Sequence, residues 1–382
     1  MYRALFSYIA LAAMAAPLYP ISAEAKEAGS SLLAACPSKP VESCSKKCPE
    51  ECPPMNRHVT PSTRCKGDQK IGLFSVVADF LWWKVQEDDF AVTFRQEVQL
   101  EAVPGTIGKT VRLNFPWNPG FRVGLGFGSC YDGWDLALNW TWYRNHKAKE
   151  YFSVTTPGVV GFVGLWSAVT TFPLGEASVQ YRLLLNMADL ELGRDFFVSC
   201  GLSLRPCIGV EGGWIDRHLT LGFANQDPGF DEPIESPGTY DAKTNYWGVG
   251  PRFGINTDWR LTAGFKAFGN LSSSFLYGKV FKNEEKSFQF DPIVGAVIMN
   301  GHGQDTMNFW KVVPHLQALL GFGWGSCFNC NKLFLGVKLG WEVNYYLNMP
   351  HFVYPDGLSE VIAPNDTSVS MTGLTLDLKL DF

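Results

Sequence analysis

The chain has 382 residues, 46% of them apolar, 14% aromatic and only 18% charged, with a net charge of −5. So apolar a composition excludes a disordered chain, and the absence of a basic stripe excludes nucleic acid as a partner. A helical enzyme of this length would repeat its apolar residues at i, i+3 and i+4, whereas this chain, past its first segment, alternates with a period of two.

Residues 1–25 read as an export signal, with Arg3 as the positive end, an apolar run from Ala4 to Ala16, and a small-residue cleavage site at Ile21-Ser22-Ala23 or Ala23-Glu24-Ala25. Leu33-Ala34-Ala35-Cys36 resembles a lipoprotein box, but the polar stretch Glu24 to Ser31 separates it from the apolar run. Residues 26–70 form a Cys- and Pro-rich segment, read as a periplasmic arm or plug. From 71 onward no run of 18 apolar residues occurs, so a membrane-spanning chain would have to cross with strands.

The alternation predicts strands near 71–85, 119–128, 134–144, 177–192, 202–217, 245–255, 270–282, 311–324, 332–347 and 373–382. Outward rows are Phe121, Val123, Leu125 and Phe127; Trp134, Leu136, Leu138, Trp140 and Trp142; and Val312, Pro314, Leu316, Ala318, Leu320, Phe322 and Trp324. Trp and Tyr fall near the row ends, where aromatic girdles meet the two faces of a bilayer. The last ten residues, GLTLDLKLDF, put Leu374, Leu376, Leu378, Leu380 and Phe382 on one face, and the chain ends on that aromatic. Counting back from Phe382 with both termini in the periplasm predicts short turns at 326–331, 256–269, 193–201 and 129–133. The long connections then lie outside. The fold class predicted is all-β: a closed antiparallel transmembrane barrel over 71–382 with at least ten strands. AVTFRQEVQL and FVGLW are strand-like, and as extra hairpins they would raise the count as far as 16.

The runs LFSVVADFLWWKV, GFRVGLGFGSCYDGWDLALNWTWY, LELGRDFFVSCGLSLRPCIGVEGGWID and YWGVGPRFGINTDWRL resemble the major outer membrane protein family of Legionella and Chlamydia-related bacteria. The resemblance covers about residues 71–382. It implies an outer membrane porin, often abundant, held in oligomers or networks by disulfides and sometimes used in attachment to host cells.

Ten cysteines in an exported chain suggest disulfides. Cys36, Cys44, Cys48, Cys52 and Cys65 precede the first strand, Cys130, Cys200, Cys327 and Cys330 fall in the periplasmic turns, and Cys207 faces inward on a strand. The first nine are the disulfide candidates, either stapling the arm to the barrel rim or linking neighbouring envelope proteins. A zinc knuckle fits the N-terminal cluster poorly, since its intervening spacings are seven, three, three and twelve. Gly105 to Thr110 lacks the glycine that a phosphate loop requires at position 103, which is Val. No catalytic, cofactor-binding or metal-ligating set is nominated, and the chain is expected not to be an enzyme.

The candidate functional positions are instead pore-lining: Arg122, Arg182, Arg205 and Arg252 in inward registers of four strands, with Asp135, Glu211, His315, Lys338 and Glu342. These charges either pair with one another in a solvated lumen or form an arginine wall that favours anionic solutes. The expected function is passive diffusion of small hydrophilic solutes across the outer membrane, with YFSVTTPGVVGFVGLWSAVTTF as the constriction. The alternative is an adhesin or scaffold with a plugged barrel. The partners expected are the lipid bilayer, small hydrophilic solutes, and a homo-oligomer or disulfide-linked envelope proteins.

Overall fold

The computed structural model describes residues 74–88, 91–97, 107–128, 133–145, 148–153, 159–164, 176–199, 201–224, 237–262, 264–291, 296–301, 307–328, 333–350, 352 and 366–382. The described chain is strand and connection, in the order β1 (Phe74–Glu87), β2 (Ala91–Glu97), β3 (Ile107–Arg112), β4 (Trp117–Gly128), β5 (Trp134–Arg144), β6 (Ala148–Ser153), β7 (Val159–Gly164), β8 (Glu176–Arg194), β9 (Phe196–Phe197), β10 (Leu202–Ala224), β11 (Pro237–Thr262), β12 (Phe265–Asp291), β13 (Ala296–Gly301), β14 (Met307–Phe328), β15 (Leu333–Pro350) and β16 (Asp366–Asp381).

Ten of these strands close a ring, β1-β4-β5-β8-β10-β11-β12-β14-β15-β16 and back to β1, every pair antiparallel. Closure leaves no unpaired edge facing lipid, which is the condition for strands to cross a bilayer. The closing seam runs to the C-terminus, where the Phe74 amide donates to the Phe382 carbonyl at 3.3 Å and the Phe382 amide to that of Phe74 at 3.0 Å. The strands on either side of the seam alternate as the sequence reading required, for Leu374, Leu378, Leu380 and Phe382 are exposed while Thr375 and Asp381 are buried inside.

The chain leaves this ladder in two ways. After Arg144, the Asn145 side chain accepts a bond from the Leu183 amide and donates to the Tyr181 carbonyl at 3.4 Å, so β8 stays satisfied until β6 takes over beside it. The stretches AVTFRQEVQL and FVGLW add no hairpin to the barrel: β2, β3 and β7 pair into a separate three-stranded sheet. Ile107–Arg112, the lysine-bearing segment compared with a phosphate loop, is one strand of that sheet. The turn expected over 256–269 is also shorter. β11 runs on to Thr262, and the hairpin turns at Gly264, whose φ of 86° a side chain would resist. Asn256, Asp258 and Lys266 suggested a loop by their polarity, but they line the interior of the barrel mouth.

Inward glycines let the wall curve tightly. A Cβ at Gly250 would meet the Phe275 carbonyl oxygen, and one at Gly278 the Trp247 carbonyl oxygen, both backbone atoms with little freedom to retreat. Gly278→Ala is expected to lower stability by about 1–3 kcal/mol, read as the midpoint of urea unfolding in detergent micelles, while Gly201→Ala, where the nearest atom lies at 3.8 Å, stays near wild type.

Candidate functional site: the barrel interior

A ten-stranded ring is little wider than the eight-stranded kind whose lumen side chains fill. What fills this one follows height. At the end of the barrel where β1 begins and β16 stops lies a cavity of about 360 Å³ lined by Ser75, Asp135, Asp258, Lys338, Asp377 and Lys379 among others. Above it lies a belt of ion pairs, and above that an apolar core.

The belt is built on three arginines. Arg122 of β4 donates to Thr141 at 2.9 Å, to Asp79 at 3.1 Å and to Glu342 at 2.6 Å. Arg252 of β11 donates to Glu191 at 2.8 Å, to Glu211 at 2.7 Å and to Gln317 at 2.5 Å. Arg205 of β10 reaches Asp135 at 2.5 Å and Glu191 at 3.5 Å. Gln317 donates to Glu342 at 2.6 Å and so joins the Arg122 and Arg252 clusters, while Glu191 joins Arg252 to Arg205. Ser272 of β12 adds a bond to Gln317 at 3.1 Å, and Thr375 of β16 adds one to Glu342 at 2.7 Å. His315 completes the set, with Nδ1 at 2.8 Å from Glu211. One connected network therefore touches all ten barrel strands. Such planar, charge-assisted bonds are the strong kind, and inside a closed wall they hold strands far apart in sequence in one register.

Above the belt the lumen is apolar. Leu81, Trp83 and Val85 of β1 meet Leu183 and Leu185 of β8, Ile215 and Leu219 of β10 and Met371 of β16, all at most 2% exposed. Connecting segments complete the packing. Phe115, between β3 and β4, stands edge-on to Tyr181 at 5.1 Å, and Phe352, after β15, does the same from 6.2 Å. Within this core Arg217 bonds Glu87 at 2.8 Å, both side chains at 0% exposure. Arg217 also donates to the Pro350 carbonyl, and its guanidinium lies 5.2 Å from the Phe352 ring.

Of the residues nominated from sequence, Arg122, Arg205, Arg252, Glu211, His315 and Glu342 meet in the belt, as does Asp135. Lys338 faces the cavity below, its ammonium 4.9 Å from the Phe268 ring. Arg182 is corrected: it points outward, its Nη2 3.3 Å from His218 Nδ1. The error has a physical origin, for Leu183, Leu184 and Leu185 are apolar in succession because the outer lumen is apolar too, and the alternation loses its contrast there. Counting by twos from the exposed Leu190 and Leu192 gives the outward register of Arg182. Asp79, Glu191, Gln317 and Thr375 were missed as site residues, although each sits opposite in parity to an outward apolar row. Cys207 is a free thiol on the inner wall. Cys327 ends on β14, and the remaining disulfide candidates, Cys36, Cys44, Cys48, Cys52, Cys65, Cys130, Cys200 and Cys330, lie outside the described residues, as do the export signal and the arm. Of the segment expected to constrict the pore, β6 pairs with β8 and β7 with β2.

Family comparison decides the affiliation: residues 69–382 match the family described as the Legionella pneumophila major outer membrane protein precursor. The chain belongs to that family. Its place is therefore the bacterial outer membrane, in keeping with the barrel. A comparison with curated proteins gives no match. Among solved structures, the Escherichia coli outer membrane protease OmpT aligns at 10% identity over 80% of this chain and 95% of its own, with a TM-score of 0.40. The Ralstonia pickettii toluene transporter TbuX aligns at 9% identity over 81% and 89%, with a TM-score of 0.27. A Pseudomonas aeruginosa FadL homologue aligns at 9% identity over 81% and 90%, with a TM-score of 0.24. These likenesses are of fold alone. They do overturn one expectation from sequence, that the chain is not an enzyme: a barrel of this kind also serves a protease, so the fold gives no ground for excluding catalysis.

Proposed function

We propose that this family member acts as an outer membrane structural barrel whose lumen its own side chains close to solutes. The observation that carries the reading is the ion-pair belt joined to every barrel strand, capped by an apolar core with Arg217 and Glu87 fully buried. A diffusing hydrophilic solute would have to break charge-assisted bonds and then cross a dry layer, and each step is costly. The three belt arginines each face one or more carboxylates, so their field on a passing anion is largely cancelled at short range. The second reading, a passive diffusion porin, draws support from the polar cavity of about 360 Å³ at the end where β1 begins and from the porin role that the resemblance implies.

Planar-bilayer recording separates the two. Protein verified as folded β-barrel by circular dichroism is expected to give no stable conductance steps, with or without a reducing agent. Regular steps from wild-type protein would overturn the closed-lumen reading and establish the porin. Steps that arise only after reduction would mean that a disulfide, and not the belt, closes the path.

A further inference from the structure

The outer surface of the wall carries a pattern that neither a closed lumen nor a pore requires. On β1 the outward row ends at Trp82 and the next outward residue is Lys84. On β5 Trp142 is followed by Arg144, on β8 Leu184 by Arg182, and on β12 Tyr277 by Lys279. On β11 the second outward position beyond Trp247 is Lys243. All five cations therefore stand at the outer edge of the apolar belt, within one arc of adjacent strands from β1 round to β12. The sector β14 to β16 differs: beyond Trp341 and Leu374 its outward residues are Val343, Tyr345, Thr372 and Ser370.

Register brings part of the arc together. Arg182 pairs directly with His218, and His218 with Lys243, so three strands present the three side chains side by side. Arg182 Nη2 lies 3.3 Å from His218 Nδ1, and His218 Nε2 lies 2.9 Å from Asp241. An arginine can only donate, so Nδ1 accepts and the ring proton on Nε2 goes to Asp241. The imidazole thus holds the guanidinium on the outer face of the wall. Asp216 and Asp241 share this face, and Asp241 is engaged by His218 and Thr220. Among the described side chains, five cations stand against Asp216, Asp241 and, past the end of β1, Asp88, which Tyr345 engages at 2.5 Å, so the arc is net positive at the outer edge of the apolar belt.

We propose that this arc is a binding surface for phosphorylated lipid headgroups of the outer leaflet. Arg144, Arg182 and Lys243 would take phosphate oxygens while the acyl chains lie on Trp142, Trp214 and Trp247 below. Tryptophan suits that boundary because its ring is apolar and its N–H is polar. A lipid seated so would shield one sector of the barrel and leave β14 to β16 open to other neighbours.

The test uses the full chain reconstituted in vesicles of phosphatidylcholine with a minor share of lipid A, then re-extracted in mild detergent, with retained lipid A measured by mass spectrometry. Wild-type protein is expected to retain lipid A selectively. A variant carrying Arg144→Gln, Arg182→Gln and Lys243→Gln is expected to lose it, at about fivefold per cation removed, while Lys311→Gln, at an inward-facing lysine of β14 that pairs with Asp366, retains it. Lys243→Gln alone, at an exposed position, reads about a fivefold loss should the triple variant fail to assemble. Equal retention by wild type and Lys243→Gln would overturn the proposal. Displacement of lipid A by millimolar inorganic phosphate would overturn it as well, because the site would then be one for a free anion.

Discussion

Glu342→Ala is expected to destabilise the barrel by about 3–5 kcal/mol, the range for removing one partner of a buried ion pair. Glu342 is 0% exposed and accepts bonds from Arg122 at 2.6 Å, Gln317 at 2.6 Å and Thr375 at 2.7 Å. Its loss leaves the Arg122 guanidinium, only 12% exposed, with Asp79 as its remaining carboxylate. It also cuts the link between the Arg122 and Arg252 clusters. The Arg122→Met, Glu342→Leu double variant removes both charges together, and it is expected to recover most of the loss because no uncompensated charge remains. Urea unfolding in micelles, followed by tryptophan fluorescence, gives the four corners of the cycle. If the single and double variants unfold at the same midpoint, the loss comes from the bonds that Glu342 accepts from Gln317 and Thr375 and not from a stranded Arg122 charge.

The second large effect is expected at Arg217. Arg217→Met strands the Glu87 carboxylate at 0% exposure in an apolar core, with an expected cost again of about 3–5 kcal/mol. Arg217→Met combined with Glu87→Met should return to wild-type stability or exceed it by about 1–4 kcal/mol, since two desolvation penalties vanish and the methionines fill similar volume. The bond to the Pro350 carbonyl and the contact with the Phe352 ring are lost in both variants. Any deficit that persists in the double variant therefore measures what Arg217 contributes by holding the segment after β15 against the core. A double variant as unstable as the single would show that this second role dominates.

These two sites differ in how far the sequence exposes them. Glu342 stands between Trp341 and Val343 in a long alternating run, so its inward register is legible from parity alone. Arg217 lies beyond Trp214, where Ile215 and Leu219 are inward and apolar, and no contrast marks its face. The same loss of contrast misassigned Arg182. Polarity misled in the other direction at 256–269, where inward polar residues of the barrel mouth read as a turn.

What the sequence by itself determined is the set of ten barrel strands, their direction, and the outward rows. Each rests on a local quantity: a period of two, aromatic residues at row ends, and short turns on one side. What only the tertiary structure decided is which inward charges meet. Arg122 and Glu342 are separated by 220 positions, and they meet only because the wall closes and the intervening strands β1 and β16 are narrow enough to reach across. Closure also decided that the outer half of the lumen is dry and filled. A single strand carries its own parity, but the width of the space that its side chains must fill is a property of the ring.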